Sequence, residues 1–486
     1  MLKRLATLNI ISTIIQGIST AFTYFILYKV IRDQIGLDYI GIWSLITSTS
    51  MICNILSLGI PTTVTRLVAR QSKSIGKNII GQIVFSSLFL TLVLYCASGT
   101  LIYVIGVWPI EDVINVQYTY LIRNLFCLSL INTQLTALLA VFYATFDGLK
   151  KNYQHNLIVI FSNLIFILLI FMLVSNLGIN GVAWAQILQN CFAITLSFIL
   201  LRKFLTWHNL NLFFNRKIFR ILFHFGKKEQ TISLSQIFFD PLVKYLLARF
   251  GGLSDVSYYE VANRIVSQSR GLLVSINQVF YVRLIEISVG AQVNLYKNFY
   301  RRNSNIMHSL NRGWVAAVFA GSMILAKFVF EGIDLQYILF VTLITLGYFA
   351  NLISVPAYYS NMALGKYDQN VLSNILCAIV NISFGFMLGV LFGGLGVVIA
   401  WSMALIAQAL FVILWNRISM FDLQRQLEFG KYGSILFFAI LCMLIVCIKT
   451  FISMSDNYFI FYLIFLAILI SCYEVTHIFK ILKNQF

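Results

Sequence analysis

Apolar residues in this chain fall into long runs separated by short polar segments. Fourteen runs, near residues 7–31, 39–60, 79–107, 118–144, 154–175, 179–201, 230–250, 257–282, 304–326, 335–363, 371–392, 395–416, 433–452 and 457–478, approach or exceed the roughly 20 residues that carry a helix across the hydrocarbon of a bilayer. Barrel strands would alternate over about ten residues, and backbone in lipid must satisfy its own hydrogen bonds, so the runs predict helices. Polar residues inside them recur at helical spacing. Ser12, Gln16, Ser19 and Thr23 share one face of the first run, and Glu260, Asn263, Arg264, Ser267, Ser275 and Gln278 lie within about 60° of one face of the eighth. The expected fold class is all-α: a polytopic membrane protein of about 14 transmembrane helices.

The pattern repeats. Asp38 and Asp255, Arg66 and Arg283, and Gly148 and Gly365 all stand 217 residues apart. The same offset carries the stripe Ser12, Gln16, Ser19, Thr23 onto Glu229, Ser233, Gln236 and Asp240, which Lys244 extends by a turn. Thr47 and Ser50 likewise match Arg264 and Ser267. Gly178, Gly181 and Val182 match Gly393, Gly396 and Val397 at 215, a drift that implies a two-residue deletion. Six spans separate the copies, and an even number returns the chain to the same membrane side. The halves are therefore expected to be two six-helix bundles related by an axis along the membrane normal, with a central cleft. The expected division is a first lobe over 1–203, a basic cytoplasmic linker or interfacial helix over 204–228, a second lobe over 229–417, and two additional spans in 418–486.

Composition agrees: 59% apolar residues, 11% charged and a mean hydropathy of +0.86 leave too little polar surface to coat a soluble globule. The net charge of +18 needs no nucleic acid to explain it. With a cytoplasmic N-terminus, 25 of the 35 Lys and Arg fall on one side, from Lys3 and Arg4 to Lys480 and Lys483, while the opposite loops hold mainly acids. That bias places both termini inside. The first run continues without a cleavage pattern and is expected to remain as a span. The segment from Arg202 to Lys228 mixes Trp207, Phe213, Phe214, Phe219 and Phe225 with seven basic residues, as an interfacial helix or a plain basic linker does. The eight cysteines lie in apolar runs without CxxC spacing, and the five histidines are scattered. No metal site and no nucleophile with its base can be assembled, so no cofactor and no enzymatic activity are expected.

Ionisable residues inside the runs carry the functional signal, since each costs about 2.5 to 3.5 kcal/mol at mid-membrane. They include Arg123, Asp240, Lys244, Glu260, Arg264, Arg270, Arg312 and Glu474. Asp240 with Lys244 and Glu260 with Arg264 are i,i+4 pairs in the favourable order, so mutual neutralisation is one reading. Arg123, Arg270 and Arg312 have no acid within one turn, which points to a net-cationic cavity for an anionic substrate. Lys244, Arg264, Arg270, Arg123 and Arg312 are the candidate substrate contacts, and Asp240 and Glu260 the candidate coupling-ion or ion-pair residues. Gln16, Thr23, Gln236, Asn263, Ser267 and Gln278 are the candidate polar lining. Pro241 beside Asp240, and Gly17, Gly59 and Pro61 in the first half, are candidate helix breaks.

Gly36, Tyr39, Gly41 and Trp43 entering the second run, Leu58-Gly59-Ile60 followed by Arg66, Ala69 and Arg70, and Gly178 to Gly181 with Trp184 give the chain a family likeness. Together with the six-plus-six-plus-two arrangement, it resembles the polysaccharide transporters of the multidrug, oligosaccharidyl-lipid and polysaccharide (MOP) exporter superfamily, and among them the O-antigen flippases. The resemblance implies a bacterial inner-membrane protein that carries an undecaprenyl-pyrophosphate-linked oligosaccharide to the periplasmic leaflet by alternating access. It also implies membrane lipids and other polysaccharide-assembly membrane proteins as partners, with coupling to a proton or sodium gradient open. A drug or metabolite cation antiporter of the same superfamily, which would place unpaired carboxylates in its lumen, and a lipid-linked peptidoglycan precursor flippase are the alternatives. A glycosyltransferase or O-antigen polymerase would call for a sizeable external loop, and none is visible.

Overall fold

The computed structural model describes residues 2–57, 59–71, 77–113, 119–202, 239–289, 293–416 and 456–483. Among them the chain is helical throughout, and it divides into two compact units, Met1–Ala248 and Arg249–Phe486. The first contains α1 (Leu2–Gln34), α2 (Asp38–Ser50), a 3-10 segment Met51–Ser57, α3 (Ile60–Gln71), α4 (Lys77–Val113), α5 (Thr119–Gly148), α6 (Asn152–Leu177) and α7 (Ile179–Leu201). The division falls near the end of α8 (Asp240–Phe250); the second unit continues with α9 (Leu253–Val289), α10 (Val293–Phe330), α11 (Leu335–Ala363), α12 (Tyr367–Trp415) and α13 (Asp456–Lys483). Eight of the described helices are long and apolar enough to cross a membrane. Outward faces such as Phe161, Leu164, Leu168 and Met172 on α6, or Phe386, Met387 and Val390 on α12, are exposed and apolar, as lipid contact requires. The protein is a multipass membrane protein.

The eight do not map one to one onto the fourteen sequence runs. Those at 371–392 and 395–416 are both in α12, where Gly393 (φ 64°, ψ −146°) marks a kink between two helices. The run at 257–282 is α9, and its polar face keeps it out of the apolar set. The last run is α13, whose apolar stretch is the shorter Phe459–Glu474. The run at 433–452, the basic linker 204–228 and Gln236 lie outside the described residues.

Two pairs of turns, each related by an offset of 215 residues, share one backbone geometry. The turn after α5 and the turn after α11 have the same hydrogen bonds: Lys151 N–H to Phe146 C=O (2.9 Å) and Lys150 N–H to Asp147 C=O (3.0 Å) in one, Lys366 N–H to Asn361 C=O (2.8 Å) and Gly365 N–H to Met362 C=O (3.1 Å) in the other. This is a Schellman cap, with Lys150 (φ 61°) and Gly365 (φ 73°) in the left-handed position. The offset here is already 215, so the drift occurs before this turn, and the equivalent of Gly365 is Lys150 instead of Gly148. Gly148 is needed for packing: a Cβ there would lie 2.8 Å from the Val68 Cβ, so its absence lets α5 close on α3. At the next connection Gly178 (φ 56°, ψ −139°) repeats the conformation of Gly393. Gly181 and Gly396 each leave no room for a Cβ against a backbone carbonyl, that of Leu173 and of Leu388 respectively. Residue identity blurs the register of the repeat, whereas φ and hydrogen bonds fix it.

Gly17 sits within the unbroken α1, and Pro241 occupies the first turn of α8, where proline costs little. The second span is where the chain breaks: α2 gives way to the 3-10 segment, Gly59 takes φ 55°, and α3 restarts with Pro61 in its first turn. In the second unit α9 is continuous over 37 residues.

Part of the polar stripe on α1 is used in packing. Asn156 of α6 donates to Ser12 Oγ (2.9 Å) and Thr13 Oγ1 (3.0 Å), and Asn163 donates to Ser19 Oγ (3.3 Å) and Thr20 Oγ1 (3.2 Å). The rungs are seven residues apart on both helices, which keeps one seam facing its partner. In lipid such bonds hold helices together because the apolar surroundings give no preference for association.

Candidate functional site: a cationic strip on α9

The polar face of α9 is in the second unit, against α11. At its upper end Arg264 Nη2 donates to Glu260 Oε1 at 2.6 Å, with Glu260 buried. One turn is enough for this contact, as the i,i+4 spacing implies. Asn263 accepts from the Tyr348 hydroxyl of α11 at 3.1 Å, and the Ser267 hydroxyl donates to the Arg264 carbonyl.

Arg270 is held differently. Its Nε and Nη2 both donate to Asn351 Oδ1, at 3.0 and 2.7 Å, and its guanidinium lies 5.2 Å from the centroid of the Tyr348 ring. Asn351 passes the network on to Gln408 Oε1 (3.4 Å), and Gln408 to Asn374 Oδ1 (2.5 Å). Trp401 meets Tyr348 edge-on at 5.0 Å, which steadies the ring beneath the cation. A guanidinium does not lose its proton in a protein. Among the described residues Arg270 has no carboxylate partner, so neutral dipoles and a ring face balance its charge. Two of its five N–H donors go to Asn351, leaving the rest of the fork for an anion.

The other candidate cations have acids. Lys244 is 4% exposed and pairs with Asp240 at 2.8 Å. Arg312 makes two bonds to Glu474 of α13, 2.5 and 2.9 Å. Arg123 does the same to Glu111 (2.6 and 3.2 Å) from an exposed position, and that hydrogen bond holds the Glu111 carboxyl below its usual range. The surplus charge expected at Arg123 and Arg312 is thus neutralised, by acids contributed from another helix. Lys244 and Arg123 belong to the first unit, while Arg264, Arg270 and Arg312 belong to the second. Thr23 is buried with its hydroxyl bonded to the Ser19 carbonyl, Gln16 is half-buried on α1, and the side chain of Gln278 lies outside the described residues.

Tyr348, Gln408 and Asn374 were not singled out from sequence, although a Gln and an Asn inside apolar runs were the available signal. No group of His, Cys, Asp and Glu able to hold a metal occurs among the described residues.

The fold is shared with solved MOP superfamily transporters. A multidrug resistance MATE family transporter in its inward-facing conformation superposes with a TM-score of 0.72 at 14% identity, over 83% of this chain and 96% of that one. The lipid II flippase MurJ in an inward closed conformation gives 0.69 at 15% identity, over 98% and 99%. A MOP superfamily transporter from Pyrococcus furiosus, described as having a binding pocket of reversed polarity, gives 0.58 at 15%, over 87% and 96%. No curated protein matches the sequence. A sequence model of one family, polysaccharide biosynthesis protein, matches residues 6–287, more than half of the chain, and the chain belongs to that family.

Proposed function

We propose that this protein moves an undecaprenyl-pyrophosphate-linked oligosaccharide, an O-antigen or related polysaccharide repeat unit, from the cytoplasmic to the periplasmic leaflet of the bacterial inner membrane. The observation that carries the reading is Arg270, an arginine inside the helical bundle whose partners among the described residues are an amide and a ring. A pyrophosphate is the anion that such a fork matches, because guanidinium and phosphate oxygens meet bidentately. A cation antiporter would be served by the opposite arrangement, a carboxylate without a base.

In this reading the two repeated halves exchange access between the membrane faces while the lipid tail stays in the bilayer. Arg264 and Lys244 supply further positive charge when their carboxylates release them. Protonation or sodium binding at Glu260 or Asp240 loosens the corresponding ion pair, which gives a gradient a handle on the conformational equilibrium. Arg123 and Arg312, already paired, support the helices more than the substrate.

Reconstituted vesicles containing an undecaprenyl-diphosphate glycan test the proposal by protection of the sugar from an external enzyme. Arg270→Gln, Lys244→Ala and Arg264→Ala, inserted normally, are expected to slow transport. Parental rates in all three would defeat the cationic-site reading. Transport of lipid II in place of the polysaccharide precursor would move the substrate to the peptidoglycan class while leaving the diphosphate chemistry intact.

A further inference from the structure

The break in the second span borders a cavity of about 220 Å³ in the first unit. Asn54 of the 3-10 segment, Thr91 and Tyr95 of α4, and Thr136 of α5 supply its polar wall, and Ile60 and Pro61 at the start of α3 part of its apolar wall. Among the described residues no charged side chain lines it. Thr91 and Thr136 lie near the middle of the apolar spans Ile79–Gly106 and Tyr120–Gly148, so the cavity is at mid-membrane depth. Irregular backbone at that depth is tolerated where it is buried in protein or lines a polar cavity, and interrupted helices are a usual place for transported groups to bind.

Thr91 lines the cavity, but its hydroxyl oxygen is closed off from it. It is 2% exposed, and its hydroxyl has no hydrogen-bond partner among the described residues. Elsewhere in the bundle a helical threonine returns its hydroxyl to the carbonyl four residues back, as Thr47, Thr49, Thr133 and Thr145 do. Tyr95 donates its hydroxyl proton to Asn54 Oδ1 at 2.8 Å, which leaves the Asn54 amide N–H groups as donors for a guest. On the α5 side Thr136 accepts from Asn190, which also donates to Asn132 at 2.7 Å.

We infer that this cavity is a subsite for one uncharged pyranose ring of the transported glycan. The chemistry is specific to that class: an uncharged wall of amide and hydroxyl groups for the sugar hydroxyls, and an isoleucine and a proline for the C–H face of the ring. Among the described residues a phosphate finds no cation here, and a drug cation no carboxylate. The inference rests on the glycan reading above, yet it concerns a separate part of the molecule from Arg270.

The test uses full-length protein in a detergent without sugar. Saturation-transfer NMR with a panel of methyl pyranosides reads the subsite, and binding of undecaprenyl pyrophosphate carrying no sugar reads the cationic strip. Asn54→Leu removes the exposed amide donors at similar size and is expected to weaken pyranoside binding about fivefold to tenfold, the loss of one hydrogen bond. Ala140→Phe, which fills the cavity, is expected to abolish the pyranoside signal, and both variants are expected to keep parental undecaprenyl pyrophosphate binding. No methyl pyranoside binding to the parent, or binding undiminished in both variants, overturns the subsite, including the case in which the cavity holds only water. Failure of the parent to bind undecaprenyl pyrophosphate instead counts against the cationic strip and leaves the pyranoside arm to decide the subsite.

Discussion

Arg312 of α10 and Glu474 of α13 are 162 residues apart in sequence and joined by two hydrogen bonds, Nε to Oε1 at 2.5 Å and Nη2 to Oε2 at 2.9 Å. Glu474 is buried, and one residue along from Arg312, Gly313 faces Ser471 of α13. The bidentate geometry fastens the final span to the second unit. Removing one partner of a buried pair strands the other charge, at a cost of about 3–5 kcal/mol. Glu474→Gln is therefore expected to lower the melting temperature in detergent markedly, and Arg312→Met with Glu474→Met to recover most of the loss. A single variant that melts like the parent would show that the pair contributes nothing.

Arg270 is expected to answer to substitution in another way. Because its partners are neutral, Arg270→Gln leaves no buried carboxylate behind, so folding should suffer little. Transport and binding of undecaprenyl pyrophosphate should fall about tenfold or more, since a charge-assisted contact is worth about 1.5–3 kcal/mol. Asn351→Leu is expected to reduce transport as well, by releasing the guanidinium from its place over Tyr348. A melting curve and a flipping rate on the same preparations separate these effects.

Gly178 and Gly393 predict a matched pair of defects. Both hold a backbone conformation that suits glycine alone, and an alanine there costs roughly 1–3 kcal/mol. Gly178→Ala and Gly393→Ala should each destabilise the protein by similar amounts, measured as loss of folded protein on heating. A large effect from one and none from the other would break the structural equivalence of the halves.

Asp255 gives a pH dependence. It sits in the first turn of α9, before the expected start of the span, with Gln336 donating to Oδ1 at 2.5 Å and its other oxygen pressed against Gly251 and Gly394. Burial pushes its pKa from 3.8 to about 6, against the smaller opposing effect of the Gln336 hydrogen bond. The folded state thus holds its proton where the unfolded chain has lost it. This contribution to stability is present below pH 3.8 and is lost as pH rises through about 6. Asp255→Asn is expected to raise the melting temperature at pH 7 and to flatten its change between pH 4 and 7. Unchanged pH dependence in that variant would assign the slope to other groups.

Much of this was legible in one dimension. Span length, the 3.6-residue period of polar residues on α9 and the pairs Asp240 with Lys244 and Glu260 with Arg264 are local properties, and a helix places i and i+4 side by side in any surroundings. The likeness of the turns at Gly178 and Gly393 was legible too, because the same backbone conformation demands glycine in both. The offset at the preceding turn was not, since Lys150 fills a left-handed position that Gly365 fills in the other turn.

What only the tertiary structure decided is which charges are balanced. Arg123, Arg270 and Arg312 look alike in sequence, each without an acid within a turn. Folding gives Arg123 a carboxylate from α4 and Arg312 one from α13, and gives Arg270 an amide and a ring. The physical reason is range: in an apolar interior a charge is governed by the nearest groups in space, and those groups come from helices whose proximity no local pattern records. The empty volume beside the broken second span belongs to the same class, because a cavity is a property of how helices fail to fill the space between them.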